Sequence, residues 1–366
     1  MNDTRTGAFR IRVAAMLLAT ILVGGLTMGE PPSPPMKKVQ AEPRTPIHQS
    51  DLPLTITAPG SYYLTESLSF SGNAITITAS DVTVDLMGFT MTGDSDTGIA
   101  IGGASARVAV LNGSIRDFAQ ALQLGANARL ARISAYGQGD TADHMTGIEV
   151  GDRSSLSEVL VERFNGPGIR AGDRTLIKDC HSRSNELGGI LSGAFSLVEG
   201  CVVGDNQDSE QIIVGVGSTV RGCTVLGSEQ GDGIDAGSGS SILNNTVSSA
   251  CVGINLDGGG LIRGNTVNEP DCIGIRAGSG SLVEGNSVTG NPFGDGIQIA
   301  GEGSRIESNN VAGNGGNGIE VVDAGNVVIK NSARGNGTNY NIAPGNDVGP
   351  IGAAATATSP WANIVF

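Results

Sequence analysis

Asp235, Asn255 and Arg276 follow one another at intervals of 20 and 21 residues, each in the third place of a Gly-Ile-x phrase. A carboxylate and a guanidinium about 10 Å apart, two coil spacings with an amide between them, leave room to flank a sugar ring and to exchange a proton with it. These three residues are the catalytic candidates of the chain. The same set also reads as an ordinary solvated ladder of charge and amide. Other polar candidates are weaker in pattern. Asp152 and Asp173 stand one repeat apart beyond Glu149 and Arg170, either sharing a cation or repelling one another in solvent. His181 should point outward, and Asp140, Asp143 and His144 fall in the longest repeat, of 26 residues.

Whether such residues meet depends on the elements that carry them. Gly-Ile-like pairs fall at Gly98-Ile99, Ala121-Leu122, Gly147-Ile148, Gly168-Ile169, Gly189-Ile190, Ile212-Ile213, Gly233-Ile234, Gly253-Ile254, Gly274-Ile275, Gly296-Ile297, Gly318-Ile319 and Asn341-Ile342, at steps of 20 to 26 residues. Between pairs come short apolar runs broken by Gly, Ser and Asn, too short for any helical stripe. Runs of two to four strand residues between tight turns describe a chain that bends about three times in about 22 residues, enough to wrap one coil. Stacked coils pair as parallel strands, alternate residues facing the interior. The expected fold is therefore all-β: a single-stranded right-handed parallel β-helix of about 12 coils. Leucine-rich and calcium-binding nonapeptide repeats need other periods. In register, the outward residue of the Gly-Ile-x strand reads Glu149, Arg170, Leu191, Val214, Asp235, Asn255, Arg276, Gln298, Glu320.

The Gly-Ile-x-x-Gly…Gly-Asn-x-Val repeat, the opening Pro59-Gly60-Ser61-Tyr62-Tyr63-Leu64 and the segment Val82-Thr83-Val84-Asp85-Leu86-x-Gly88-Phe89 resemble the right-handed parallel β-helix, or pectate-lyase-like, superfamily, most of all its exported bacterial β-helix repeat proteins. The resemblance covers roughly residues 50–345. It implies the fold firmly and the function loosely, because the same coil carries lyases, hydrolases, epimerases and adhesins. In the lyases acidic residues hold calcium and an Arg is the base, so calcium is the one cofactor the resemblance allows; the residues themselves identify none. Motifs of the superfamily's polygalacturonases (Asn-Thr-Asp, Gly-His-Gly, Arg-x-Lys) and the Asp-Pro-His of its mannuronan epimerases are missing from this chain.

Composition sets the compartment and limits the partners. Arg5, Arg10 and Arg12 precede an apolar run from Val13 to Met28, the layout of an export signal, with Val39-Gln40-Ala41 as a cleavage site; an uncleaved anchor is the alternative. The repeat domain is thus expected outside the cytoplasm: periplasmic, cell-surface or secreted. Loss of residues 1–41 removes five basic and two acidic residues and takes the formal charge from −14 to about −17. Such a field repels nucleic acid and anionic membranes, and it disfavours polyuronates unless metal ions bridge them. Contact with membrane is expected only through an uncleaved N-terminal segment.

The domain reading is a leader over 1–41, a linker and N-terminal cap over 42–73, the β-helix over 74–345 and a C-terminal cap over 346–366. Tyr62, Tyr63, Leu64 and Phe70 supply bulk for the first cover, and Trp361, Ile364 and Phe366 for the second. Aligning repeats by their Val puts Cys180, Cys201, Cys223, Asn245, Asn265, Asn286, Asn309 and Asn331 in one column, expected to stack at a bend with amides bonding along the rod. Cys251 and Cys272 make a shorter column, read as small apolar fillers with a redox or metal role as the alternative. Coil spacing of about 4.8 Å against a preferred Cβ separation of roughly 3.5 to 4.5 Å leads to an expectation of mostly free, buried thiols. No His/Cys spacing fits zinc or copper. The leading functional expectation is an exported, non-catalytic binding or structural module, directed to a polysaccharide or cell-envelope glycan. The alternative is a carbohydrate-active lyase or hydrolase working around Asp235, Asn255 and Arg276.

Overall fold

The computed structural model of the protein describes residues 44–93, 98–138, 145–207, 210–227 and 230–366. The expected leader, with its cleavage point after Ala41, and the loop residues Asp140, Asp143 and His144 lie outside the described residues.

Two sheets make up the coil. Among the described residues, sheet I has 14 parallel strands and sheet II has 27. A full turn gives one strand to sheet I and two to sheet II, as in Ile234–Ala236, Ser241–Leu243 and Thr246–Ser248. Each strand pairs with its counterpart one coil on: Ile234 with Ile254, Ile242 with Ile262, Val247 with Val267. At about 4.8 Å per step, the 14 strands of sheet I span roughly 60 Å. Two coils more than the repeat count appear at the N-terminal side. Leu54–Ile56 and Ile75–Ile77 pair in register, with Leu54 opposite Ile75, although neither carries a Gly-Ile pair. Residues 60–63 likewise pair with residues 82–85, so chain expected within the first cover winds as coil.

Three rows of aliphatic side chains fill the interior. Ile148, Ile169, Ile190, Ile212, Ile234, Ile254, Ile275, Ile297 and Ile319 of sheet I are wholly buried, and so are the facing Val and Ile of sheet II, such as Ile242, Val247, Ile262, Val283 and Val288. The prism is narrow, which explains the glycine of the repeated pair: a methyl added at Gly274 would overlap Val288 Cγ1 and the Gly296 carbonyl. Tyr340 ends the Ile row in register with Ile319, its hydroxyl within hydrogen-bonding distance of the carbonyls of Asn331 (2.8 Å) and Ile364 (3.1 Å).

Every bend carries its own polar ladder. At the first, Ser and Asn side chains accept backbone N–H groups of the preceding coil: Thr175 to Ser196 (3.1 Å), Ser196 to Ser218 (3.0 Å), Ser218 to Ser240 (3.1 Å), Ser304 to Asn326 (2.8 Å). At the second stands the expected Asn column. Asn245, Asn265, Asn286, Asn309 and Asn331 each donate Nδ2–H to the Oδ1 of the next Asn at 2.9–3.1 Å, the run ending on Asn363. A neighbour in the left-handed region, such as Asn244 at φ 54° or Gly264 at φ 67°, turns each amide inward. Cys180, Cys201 and Cys223 continue this column as free, buried thiols. A hydrogen bond with Cys180 and burial push the Cys201 thiol up to about 12, and Cys223 is raised further by its bond with Cys201. The third bend has a broken ladder: Asn185 and Asn206 (2.9 Å) on one side, Asn314 and Asn336 (2.8 Å) on the other.

The gap in that third ladder overturns one expectation. Cys251 and Cys272, expected as free thiols, form a disulfide with Cα atoms 4.7 Å apart. That separation lies within the usual Cα range of disulfides, about 4.4–6.8 Å. Coil spacing alone did not exclude a bridge, because the two side chains lean toward each other at a bend instead of projecting in parallel from a strand. The bridge sits where Ala250 and Pro270 replace the Asn residues of the corner.

Candidate functional site

Sheet I presents its outward row to solvent, and strand register now fixes the members of that row. Glu149 is opposite Arg170, Arg170 opposite Leu191, and Leu191 opposite Ile213. Val214, expected in this row, is buried at 2% exposure instead. The repeat of that coil begins at Gln211-Ile212 and not at Ile212-Ile213. With alternation of period two, a one-residue slip exchanges the inward and outward faces. From there the row is as expected through Asp235, Asn255, Arg276, Gln298 and Glu320; Asn341 then stands opposite Glu320, so the last repeat begins at Asn339-Tyr340 and not at the expected Asn341-Ile342.

The three catalytic candidates therefore lie side by side on successive strands, but they are not joined as one unit. Asn255 Nδ2 donates to Asp235 Oδ1 at 2.9 Å. Arg276 turns the other way, its Nε donating to Gln298 Oε1 at 3.4 Å. Gln298 Nε2 donates to Glu320 Oε2 at 2.7 Å, and Asn341 Nδ2 to Glu320 Oε1 at 3.3 Å. A strip of donors and acceptors results, half-buried except at Asn341 and hydrogen-bonded in two runs that part between Asn255 and Arg276.

Acidic side chains gather at the Asp235 end. Burial raises the Asp235 carboxyl, with Asp257 and Glu210 adding to the shift and the Asn255 amide opposing it. Asp232, three residues earlier at the third bend, is pushed up to about 6 by burial and by the charges of Asp235 and Glu210, against the pull of Arg276. A second acidic pair closes the other end. Burial and the hydrogen bond with Glu320 raise Asp295, whereas Gln298 and Asp295 lower Glu320. Asp295 Oδ1 also accepts the Asn317 backbone N–H at 2.6 Å. Asp232 and Asp295 escaped the sequence reading of the site, yet a signal existed: both stand in Gly-Asp-Gly-Ile, the only acidic residues directly before a Gly-Ile pair.

The strip can thus offer a proton-carrying carboxyl near neutral pH, a guanidinium, and amides that both donate and accept. Among the described residues, no three His, Cys, Asp or Glu side chains converge as a metal cage. Asp152 and Asp173 have a backbone role: Asp152 Oδ1 accepts the Asp173 N–H at 3.0 Å, and Asp173 Oδ1 accepts the Ala194 N–H at 2.9 Å. His181 is exposed on sheet II beside Glu158 and Asp179, away from the strip. The disulfide lies directly ahead of the strands Val252–Leu256 and Ile273–Ala277, which carry Asn255 and Arg276.

Stacked parallel strands, three-sided coils and interior ladders define a right-handed parallel β-helix repeat protein. Residues 211–349 match the family model described as a right handed beta helix region. No curated protein sequence matches the chain. Among solved structures, the A-module of mannuronan C-5 epimerase AlgE6 from Azotobacter vinelandii is similar over 84% of this chain and 91% of its own, at 12% identity and a TM-score of 0.54. The periplasmic alginate epimerase AlgG is similar over 88% of this chain and 82% of its own, at 11% identity and a TM-score of 0.47. A GH87 α-1,3-glucanase catalytic domain covers 89% of this chain and 62% of its own, at 12% identity and a TM-score of 0.43. At these identities the likeness is one of fold.

Proposed function

We propose that this chain is an exported β-helix that binds a carbohydrate chain lengthwise along the sheet I strip from Asp235 to Asn341. The observation that carries the reading is the register: six polar side chains on six successive strands over about 24 Å, all but Asn341 half-buried, hydrogen-bonded in two runs, Asp235 with Asn255 and Arg276 through Gln298 and Glu320 to Asn341. Side chains already ordered by their neighbours lose little conformational freedom on meeting hydroxyl groups. The negative charge of the chain favours a neutral glycan over a polyanion. A disulfide with Cys272 at the surface supports an oxidising compartment, hence periplasm, cell surface or medium. The mannuronan epimerase module, whose fold this chain shares, acts on a polysaccharide and adds to the same reading.

One observation favours a second reading, a polysaccharide lyase or hydrolase. A carboxyl raised to about 6 at Asp232, next to Asp235 and Arg276, is suited to general acid–base work near neutral pH. Affinity electrophoresis through a panel of neutral and acidic polysaccharides, with and without calcium, tests both. Retardation by at least one glycan, weakened about tenfold in Arg276→Ala, is the expected result for loss of one charge-assisted contact. No retardation by any glycan, or unchanged retardation in Arg276→Ala and Gln298→Ala, refutes the binding strip. New reducing or unsaturated ends, lost in Asp232→Asn, would select the enzyme.

A further inference from the structure

A second concavity lies on the outer face of sheet II at the C-terminal end of the coil, apart from the sheet I strip. Its volume is about 360 Å³, within the usual span of about 300–1,000 Å³ for small-molecule pockets. Val327, Ile329, Val348 and Pro350 form apolar walls, Trp361 closes one side, and Arg305 and Asp347 bring polar groups to the rim.

Two stretches of the tail build these walls onto the last coils. Asp347 and Val348 pair with Val327 and Val328, and Ile364 and Val365 pair with Ser332 and Ala333. Asn363, with no exposed surface, ties both stretches down. Its backbone N–H donates to the Pro350 carbonyl (2.8 Å), and its Nδ2 donates to the carbonyls of Gly349 (3.0 Å) and Val328 (2.9 Å). A methyl at Gly349 would overlap the Trp361 carbonyl, so glycine lets the two stretches close together. The pocket is therefore preformed.

Charge around it balances. Glu307 pairs with Arg305 (2.5 Å) and with Lys330 (2.8 Å), leaving Asp347 to offset the second cation. Lys330 Nζ stands 4.7 Å from the Trp361 ring centroid, and half of Trp361 remains exposed. An indole beside aliphatic walls suits a ring with an apolar C–H face; at the rim a carboxylate accepts from its hydroxyls and a guanidinium donates to them; a balanced charge excludes selection for an ion.

We propose that this pocket binds a single neutral hexopyranose unit, such as the end of a glycan chain, with the sugar's C–H face toward Trp361 and Val327 and its hydroxyls toward Asp347 and Arg305. This site stands independently of the sheet I strip.

Trp361 is the one tryptophan of the chain, so intrinsic tryptophan emission reports on this pocket alone. Titrating D-glucose, D-galactose, D-mannose and N-acetyl-D-glucosamine to tens of millimolar covers the affinities of about 4 kcal/mol expected of one sugar. At least one should give a saturable change, and D-glucuronate should not. Asp347→Ala, at an exposed position, should raise the dissociation constant about tenfold or more with an unchanged circular dichroism spectrum, whereas Asp235→Asn and Arg276→Ala should leave it unaltered. No saturable response by fluorescence or calorimetry overturns the proposal. So does binding by Asp347→Ala equal to that of the parent, a response to glucuronate equal to the neutral sugars, or loss of the response in Arg276→Ala.

Discussion

Replacing Asn286 by Ala removes four side-chain hydrogen bonds from the middle of the second-bend ladder. Asn286 Oδ1 accepts the Asn265 backbone N–H (2.9 Å) and Asn265 Nδ2 (3.0 Å), and its Nδ2 donates to the Ile262 carbonyl (2.9 Å) and to Asn309 Oδ1 (3.0 Å). Asn265 Nδ2 keeps its bond to Ile242, and Asn309 Oδ1 keeps the Asn286 backbone N–H. The Asn265 N–H is the group left buried without a partner, since Ile262 lies within the strand ladder to the next coil. Three satisfied bonds lost at about 1 kcal/mol each and one orphaned group at about 1–3 kcal/mol, softened by relaxation, give a cost of about 3–5 kcal/mol. In a solenoid that cost is felt locally, since each coil rests only on its neighbours. Amide hydrogen exchange is therefore the fitting assay. Protection of Asn265 and of its flanking strands should fall about 10²- to 10⁴-fold, by the usual relation of free energy to equilibrium constant. Asn268→Ala, at a half-exposed amide on the outer face of the same coil, should change protection by less than about 0.5 kcal/mol. Asn286→Cys should fall between the two, because the column already holds thiols at Cys180, Cys201 and Cys223. Equal protection in Asn286→Ala and Asn268→Ala would refute the view that the ladder amides hold the coils in register.

Two further outcomes follow from the cross-link and from the acidic cluster. Opening the Cys251–Cys272 bridge, by dithiothreitol or by a double change to Ser, frees a loop of 21 residues and should lower stability by about 3 kcal/mol on the chain-entropy estimate. Denaturant midpoints check this, and identical midpoints for the oxidised and reduced protein would contradict it; Cys180, Cys201 and Cys223 should stay unreactive toward thiol reagents in the folded state. Asp232 has a folded value of about 6, above its ordinary value of 3.8, so between those values the folded chain holds the extra proton. Its contribution to stability is complete below the ordinary value and is lost as pH rises through about 6. Stability measured against pH should accordingly show a falling component across that window which disappears in Asp232→Asn; persistence of the same slope in the variant would rule Asp232 out as its source.

The chain alone specified the fold because its signal is repeated. One Gly-Ile pair is weak, but its recurrence leaves a parallel coil as the arrangement that buries every Ile and pairs every strand. The Asn column was legible for the same reason, as was the row from Asp235 to Glu320. Coils without the pair, at Leu54–Ile56 and Ile75–Ile77, went uncounted because burial there is achieved by plain alternation.

What only three dimensions decided are the relations in which small offsets matter. A slip of one residue at Gln211-Ile212 exchanged Val214 for Ile213, since side-chain direction in a strand reverses at every step. The leaning of Cys251 toward Cys272 turned two expected thiols into a bridge, a matter of angle at a bend and not of spacing along the rod. Asp232 acquired its raised carboxyl from burial, with Asp235 and Glu210 adding to it, and both the burial and the approach of those charges depend on how the third corner folds. Periodicity fixes what every coil has in common; the individual contacts that distinguish one coil from the next exist only once the coils are stacked.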